Sequence, residues 1–399
     1  MNLPKGIVVT DKHYDYVLKI KKNLYGSKNA SRTFFLYMRD KLLSLRYTQS
    51  MIDKCVFYRE TTIFFAYVND GIFLDVSLER IDLAVKEFSN VCKIEDKGDI
   101  NDYLGVHFEK CQDGAIVLTQ THLIDQILQE LQLSPEGTVK PTPAASTNIL
   151  HRFKNEPSHD RDWHYRSIIG KLNFFEKSTR PDISYSSHQC ARFSQDLKKS
   201  HSDAVMHLGK YLAGTRNQGI KIRPSRESSF EVYADADFAG QWNRLTANED
   251  ESTAKSRIGY IIFFAGCPLI WSSKLQTMVG LSTTECEYMA LSEALRDTLP
   301  LMDMIEEMKS RDICTFSSVP KVYCKAFEDN SGALELARLP KMRPRTKHLN
   351  QIFHHFRAYV KSGIIKVYPI ESAHQLADAM TKPQEQNIFY PIRKKIMRW

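Results

Sequence analysis

The chain has 399 residues, enough for two or three domains, and its 42% hydrophobic and 26% charged residues exclude a disordered or fibrous protein. The formal net charge of +8 suits a polyanionic partner. The most apolar run, residues 259–271, is too short to span a bilayer, and the eight cysteines include no C-x-x-C pair. We therefore expect no membrane span, no zinc site, and free thiols in a reducing intracellular compartment.

Residues 1–110 have the pattern of a mixed α+β unit. Apolar residues recur at helical spacing through 31–45. Strand-like runs follow at 56–58, 63–68 and 72–76. Asn69-Asp70-Gly71 lies between the last two runs and is a strong signal for a hairpin turn. A tight turn is a sufficient explanation of these three residues.

Between residues 110 and 227 the pattern changes from strand to helix. Residues 110–135 predict a short strand and then a helix, whereas 136–163 lack periodicity and indicate a linker or long loop. Residues 164–215 are helical, with a break and restart around Pro181. The lysines and arginines of this part form either a solvated helix face or a surface that contacts a template strand.

The stretch 230–238 predicts a strand with strict alternation. Its even-numbered residues are apolar and form a core face. The opposite face carries Asp235 and Asp237, which lie roughly 6–7 Å apart if the strand runs through both. Like charges at this spacing repel each other, and a bound cation is one way to stabilise them. The alternative is a solvated strand end, where aspartate is common.

The segment 282–295 predicts a helix with a carboxylate on its buried face. Ser282 or Thr283 is the N-cap, and Glu285 in the first turn has a capping role. At about 100° per residue, Glu287 falls in the middle of the apolar stripe of this helix. A buried carboxylate needs a partner, so Glu287 is a candidate metal ligand.

Two further aspartates lie next to apolar segments. Asp329 follows an apolar run and precedes a predicted helix, and Asp378 follows the strand-like run 364–368. With Asp235 and Glu287 they give four carboxylates on separate elements. Such a set can converge on a pair of divalent ions.

The stretch 338–361 is strongly basic. It is either a solvated face or a surface that contacts the phosphates of a nucleic acid. The candidate nucleic-acid-binding residues are Arg343, Arg345, Lys347, His348 and Arg357.

Five motifs follow one another in the second half of the chain: YADADFAG, STTECEYMAL, EDNSGALELA, TKHLNQIFHHF and QLADAMTKP. In this order they closely resemble the ribonuclease H domain of copia-type retrotransposon polyproteins. The resemblance implies a ribonuclease H-like fold, with a mixed five-stranded sheet flanked by helices. It also implies cleavage of the RNA strand of an RNA–DNA hybrid by four carboxylates on two magnesium ions. By motif position these are Asp235, Glu287, Asp329 and Asp378.

Three motifs near the start of the chain, LYGSK, YVND and DYLGV, are similar to the palm of copia-type reverse transcriptase. The family's turn reads Tyr-Val-Asp-Asp, and its first Asp helps to hold the two metals of nucleotidyl transfer. Asn69 stands at that position, followed by Asp70, and a neutral amide is a poorer ligand for a hard cation. A second Asp of the family is expected N-terminal of Leu3-Pro4-Lys5-Gly6. The resemblance thus implies a degenerate polymerase site and no polymerase activity.

The sequence therefore predicts a multidomain protein of α+β and α/β type in three parts. These are an incomplete reverse transcriptase palm and thumb (1–135), a linker and helical connection region (136–227) and a ribonuclease H-like domain (228–399). The implied partner is an RNA–DNA hybrid, and other polyprotein domains such as integrase and capsid are not represented. The alternative is a catalytically silent retrotransposon relic that only binds nucleic acid.

Overall fold

The computed structural model of the chain describes residues 23–24, 26–134, 136–145, 149–152, 155–159, 161–225, 227, 229–244, 250–313, 322–339 and 351–399. These residues form two compact units. One contains the described residues up to Gly98 and those between 306 and 313, and the other contains the remainder. The predicted boundaries at 135/136 and 227/228 stay predictions. No helix in the described ranges combines the length and apolar character needed to cross a membrane.

The first unit is an antiparallel sheet of four strands with two helices. Its elements are α1 (Ala30–Ser44), β1 (Thr48–Gln49), β2 (Val56–Arg59), β3 (Thr62–Tyr67), β4 (Asp70–Leu74) and α2 (Leu78–Val91). The strands pair in chain order. Leu42 of α1 and Phe88 of α2 pack in one core with the rings of Phe57 and Phe64. The mixed α+β pattern predicted here is confirmed, whereas its assignment to a polymerase palm stays a prediction.

The hairpin between β3 and β4 is confirmed, but its turn was placed too late in the chain. Tyr67 pairs with Asp70, so the loop consists of Val68 and Asn69. Val68 has φ +50°, a backbone conformation that is costly for a β-branched residue. Gly71 lies inside β4, where a Cβ atom would stand 2.5 Å from Cζ of Phe64. The glycine is therefore explained by the neighbouring ring and not by the turn.

The second unit begins with a four-stranded antiparallel sheet and a group of helices. Its first elements are β5 (Asp102–Tyr103), β6 (Val106–Lys110), β7 (Ile116–Thr119), α3 (Thr121–Glu130), α4 (Tyr165–Ser178), α5 (Ser184–Ala191), α6 (Lys199–Gly214) and β8 (Ile220–Ile222). The sheet has the order β5-β6-β7-β8. The strand, helix and interrupted helical region predicted for this part are confirmed.

A buried ion pair fixes the break between α4 and α5. Arg180 and Asp182 flank Pro181, and their side chains are fully buried and joined by two hydrogen bonds of 2.8 Å. The Tyr211 hydroxyl of α6 donates to Asp182 Oδ2 at 2.5 Å. Because every charge of this pair is hydrogen-bonded, the corner between the helices tolerates its burial.

The rest of the second unit is built on a mixed five-stranded sheet, as predicted. Its elements are β9 (Phe230–Ala236), β10 (Arg257–Phe264), β11 (Cys267–Leu275), α7 (Thr283–Ser310), β12 (Cys324–Glu328), α8 (Ser331–Arg338), α9 (Arg357–Lys361), β13 (Ile365–Pro369), α10 (Asp378–Thr381) and α11 (Gln386–Met397). The residues of α7 from Glu306 onward are assigned to the first unit. The strand order is β11-β10-β9-β12-β13. β9, β10 and β11 are antiparallel, whereas β12 runs parallel to both β9 and β13.

The alternation of β9 gives the sheet two different faces. Val232 and Ala234 pack with the apolar stripe of α7 in one core. On the other face, Ile261 and Phe263 of β10 pack with the helical group and with α10 and α11. Since β9 and β12 are adjacent and parallel, their carboxyl ends open at the same edge of the sheet.

Candidate metal centre

Three carboxylates meet at this edge of the sheet. Asp235 is the penultimate residue of β9, Asp329 directly follows β12, and Glu287 lies in the second turn of α7. One oxygen atom from each lies within 4.8 Å of the other two. Asp235 and Glu287 are only 4% and 5% exposed, which confirms the burial predicted for Glu287 from its helix face. Hard divalent cations such as Mg²⁺ prefer a ligand set of this kind, composed of carboxylate oxygens.

Hydrogen bonds hold each of the three side chains in place. Glu287 Oε2 accepts the Ala236 N–H of β9 at 2.8 Å. The Thr381 hydroxyl of α10 donates to Asp235 Oδ2. Ser372 Oγ donates to Asp329 Oδ2 at 2.8 Å. The cluster is thus oriented by neighbouring elements, as preorganised metal ligands are.

Asp378 lies beside this group at the start of α10. Its Oδ2 forms an ion pair of 2.9 Å with Lys382 Nζ, and its Oδ1 is buried and has no partner among the described residues. Asp378 is not one of the three mutually close carboxylates, although its charge interacts with that of Asp235. Its role as fourth ligand therefore stays a prediction.

The charges of the cluster are poorly compensated. Burial, followed by repulsion from neighbouring carboxylates, raises the pKa of Glu287. Burial likewise raises the pKa of Asp235, which the Lys382 ammonium opposes. The pKa of Asp378 is raised to about 7 by burial and by the charge of Asp235. A bound divalent cation would stabilise the ionised forms and reverse these shifts.

A glycine allows α10 to approach the cluster. Gly259 of β10 pairs directly with Asp235 of β9. A Cβ atom at this position would stand 2.5 Å from Met380 Cβ, 2.9 Å from Thr381 Cγ2 and 3.0 Å from the Ala377 carbonyl oxygen. The missing side chain therefore lets the helix that carries Thr381 lie against the sheet next to Asp235.

The other carboxylates singled out in the sequence have local roles. Asp237 Oδ1 accepts the Arg257 N–H, and the side chain lies outside the group of three. Glu285 Oε2 accepts the Leu281 N–H at 2.8 Å, and its own N–H donates to Ser282 Oγ at 3.3 Å, which confirms its capping role.

Sequence reasoning missed two charged residues near the cluster. Glu328, the last residue of β12, is 1% exposed. Its pKa is raised to about 8, first by burial and then by the charges of Asp329 and Asp235. Alternation with the apolar Cys324 and Ala326 would have placed it on the buried face of its strand. Lys382 is the second, and its position one helical turn after Asp378 was the available signal.

Most of the predicted nucleic-acid-binding residues lie outside the described part of the chain: Arg343, Arg345, Lys347 and His348. Arg357 is described, at the first position of α9, and its guanidinium donates to the Leu339 carbonyl oxygen. Of the predicted degenerate polymerase site, Asn69 lies in the β3–β4 loop and Asp70 begins β4, both in the first unit.

Comparison with solved structures gives weak similarities. LC11-RNase H1, isolated from compost by a metagenomic approach, aligns with a TM-score of 0.27 and 16% identity, over 39% of this chain and 93% of that chain. A TM-score this low carries no argument about fold or function.

Sequence comparison is more informative. Residues 1–145 match the family described as reverse transcriptase (RNA-dependent DNA polymerase). The chain is 28% identical over 402 residues to the retrovirus-related Pol polyprotein from transposon RE1 of Arabidopsis thaliana, covering 99% of this chain and 26% of the relative. It is also 28% identical over 400 residues to that from transposon TNT 1-94 of Nicotiana tabacum, covering 98% of this chain and 28% of the relative.

The chain thus spans about a quarter of the length of these relatives. The similarity extends over nearly all of its residues, through the first unit and the five-stranded sheet alike. Over nearly its whole length the chain is therefore similar to the Pol polyproteins of copia-type retrotransposons.

Proposed function

We propose that this chain hydrolyses the RNA strand of RNA–DNA hybrids at the site formed by Asp235, Glu287, Asp329 and Asp378. The observation that carries the proposal is the convergence of three carboxylates, from β9, α7 and the end of β12, within 4.8 Å. Carboxylates that only maintain a fold are rarely buried together without cations, because burial and repulsion both oppose their ionisation.

With Asp378 added to the three converging carboxylates, the donor set would suit two divalent ions. When bound, Mg²⁺ or Mn²⁺ would supply a hydroxide nucleophile and stabilise the departing 3′ oxygen. Asp235 interacts with all three other carboxylates and would be the central residue of the set that holds the ions. Glu287 is fixed to the backbone of β9 and holds the cluster on the α7 side. Asp378 would contact an ion from the α10 side, where the Thr381 hydroxyl of the same helix donates to Asp235.

Discrimination between RNA and DNA is expected to depend on the 2′-hydroxyl and on the shape of the hybrid, with little reading of bases. The sequence-predicted basic surface of Arg343, Arg345, Lys347, His348 and Arg357 would bind the phosphates. Binding of this kind is independent of sequence and depends on salt.

The test is cleavage of a hybrid whose RNA and DNA strands carry different fluorescent labels. The purified chain should cut the RNA strand in the presence of Mg²⁺ or Mn²⁺, leave the DNA strand intact and be inactive in EDTA. Asp235→Asn should bind the hybrid but not cut it. Glu285→Gln, which changes a capping carboxylate on the same helix as Glu287, is the matched control and should remain active.

The alternative, a silent relic that only binds nucleic acid, predicts a different result. In that case the wild-type chain would bind the hybrid and cut neither strand with either metal. Cleavage that is equally impaired in Asp235→Asn and Glu285→Gln would contradict the assignment of the site.

A further inference from the structure

Glu328 occupies an unusual position for a glutamate. It ends β12, where Cys324 and Ala326 point into the same buried face, and it directly precedes Asp329. Its side chain is 1% exposed. It is therefore a carboxylate placed in an apolar core, beside the three that converge at the edge of the sheet.

Only one of the two oxygens of this carboxylate accepts a hydrogen bond within the described residues. Oε1 accepts the Asn330 N–H at 3.0 Å, which closes the turn between β12 and α8. Oε2 is buried and has no hydrogen-bond partner among the described residues. A glutamine could close the same turn without placing a charge in the core, so the turn alone does not account for a glutamate.

Glu328 lies beside the cluster, directly before Asp329 in the chain, although it is outside the group of three whose oxygens meet within 4.8 Å. It interacts with Asp329 and Asp235, and it acts in turn on Glu287 of α7. Within the described residues no lysine, arginine or histidine forms an ion pair with it. The unpartnered buried oxygen and the three neighbouring carboxylates together have the chemistry of a binding site for a divalent cation.

From this geometry we infer that Glu328 is a fifth carboxylate of the cation site. Its Oε2 binds a divalent ion or a water molecule coordinated to that ion. The inference rests on the proposed function for the existence of the site, and it adds a ligand to the four that the family resemblance implies.

The experiment measures Mn²⁺ binding by titration calorimetry and by the thermal shift that Mn²⁺ produces. Glu328→Gln keeps the acceptor for Asn330 and removes the charge. We expect its Mn²⁺ affinity to fall by about 10- to 100-fold, as for other residues that support metal ligands. Its Tm in EDTA should not fall, because a source of repulsion is removed. Glu231→Gln, on the neighbouring β9 but near the other end of the strand, is the matched control and should bind Mn²⁺ like the wild type.

Unchanged Mn²⁺ affinity in Glu328→Gln, with or without a lower Tm, would overturn the inference and leave Glu328 as a turn residue. If Glu328→Gln does not fold, Glu328→Asp decides the question, because it keeps the charge but withdraws the oxygen by one methylene. Weaker Mn²⁺ binding by Glu328→Asp than by Glu231→Gln supports the inference, and equal binding by the two overturns it.

The same titration separates this inference from the proposed function. Wild-type affinity in Glu328→Gln together with greatly weakened binding in Asp235→Asn overturns the role of Glu328 alone. Failure of the wild-type chain to bind Mn²⁺, or equal binding by Asp235→Asn, overturns the proposed metal site and the inference with it.

Discussion

Replacing Asp235 by asparagine should stabilise the metal-free protein while it removes activity. Asparagine keeps the shape of the side chain and an acceptor for the Thr381 hydroxyl, but it removes the charge at the centre of the cluster. Ionised carboxylates 4.8 Å apart repel each other by about 3 kcal/mol at an effective dielectric constant of about 20. Asp235 takes part in two such pairs, with Glu287 and with Asp329.

Protonation already relieves part of this repulsion in the wild type, because burial raises the pKa of Asp235 and Glu287. We therefore expect a net gain of about 1–3 kcal/mol, or a rise in Tm of a few degrees in EDTA. With Mn²⁺ the order should reverse. A cation at 100 times its Kd stabilises the wild type by about 2.7 kcal/mol, and Asp235→Asn should lose most of this gain.

The assay is thermal unfolding of the wild type, Asp235→Asn and Glu285→Gln, each in EDTA and across a Mn²⁺ series. Glu285→Gln should follow the wild type in both conditions, since its carboxylate caps α7 and does not touch the cluster. Two results would refute the reasoning that the carboxylates of the cluster repel one another and bind a cation. One is a Tm of Asp235→Asn below that of the wild type in EDTA, and the other is a rise in Tm with Mn²⁺ as large as that of the wild type.

Four further outcomes are expected. The chain should not incorporate nucleotides on a primed template, because Asn69 offers a neutral amide where the family has a carboxylate; incorporation above a no-enzyme control would contradict this. Changing Arg343, Arg345 and Lys347 together to alanine should weaken binding to hybrids of any sequence. It should also reduce the slope of log affinity against log salt by about 2–3. An unchanged slope would indicate that these residues form a solvated face. Between about pH 6.5 and 8, above the ordinary pKa of histidine, the raised pKa values of Glu328 (about 8) and Asp378 (about 7) should make the metal-free folded protein bind more protons than the unfolded chain. Its Tm in EDTA should therefore fall as pH rises through this range, and saturating Mn²⁺ should reduce the slope. A flat profile in EDTA would count against the raised values. Asp182→Asn should lower the free energy of unfolding by about 3–5 kcal/mol, because Arg180 would keep a buried charge without its counter-ion. Urea denaturation measures this loss, and a loss below about 1 kcal/mol would show that the ion pair is dispensable.

The periodicity of apolar residues in the sequence predicted the burial of side chains that face the core from their own helix or strand. Glu287 could be found because a helix wheel distinguishes a buried face from a capping position, and the structure gives these two roles to Glu287 and Glu285. The alternation of β9 likewise placed its core residues, and the parallel pairing of β9 with β12 then brings Asp235 and Asp329 together.

Features that depend on long-range contacts were not accessible in this way. The β3–β4 turn was misplaced because Gly71 is needed for its close contact with the ring of Phe64, seven residues away, and not for the loop. Nothing local to Asp378 indicates that its helix lies against β10. Its position after a strand-like run made it a candidate, and the motif resemblance implied its role. Glu328 was not predicted because the motif resemblance points to Asp329 beside it, although strand alternation alone indicates that Glu328 is buried.

Gly259 has a consequence for variant copies of this chain. A single methyl group at this position would press on Met380 and on the Ala377 carbonyl, and the short helix bearing Asp378 would have to move away from Asp235. A copy could thus keep every acidic residue and still lose the arrangement that they need. The four carboxylates are therefore an insufficient guide to which copies remain intact, and the residue opposite Asp235 has to be inspected with them.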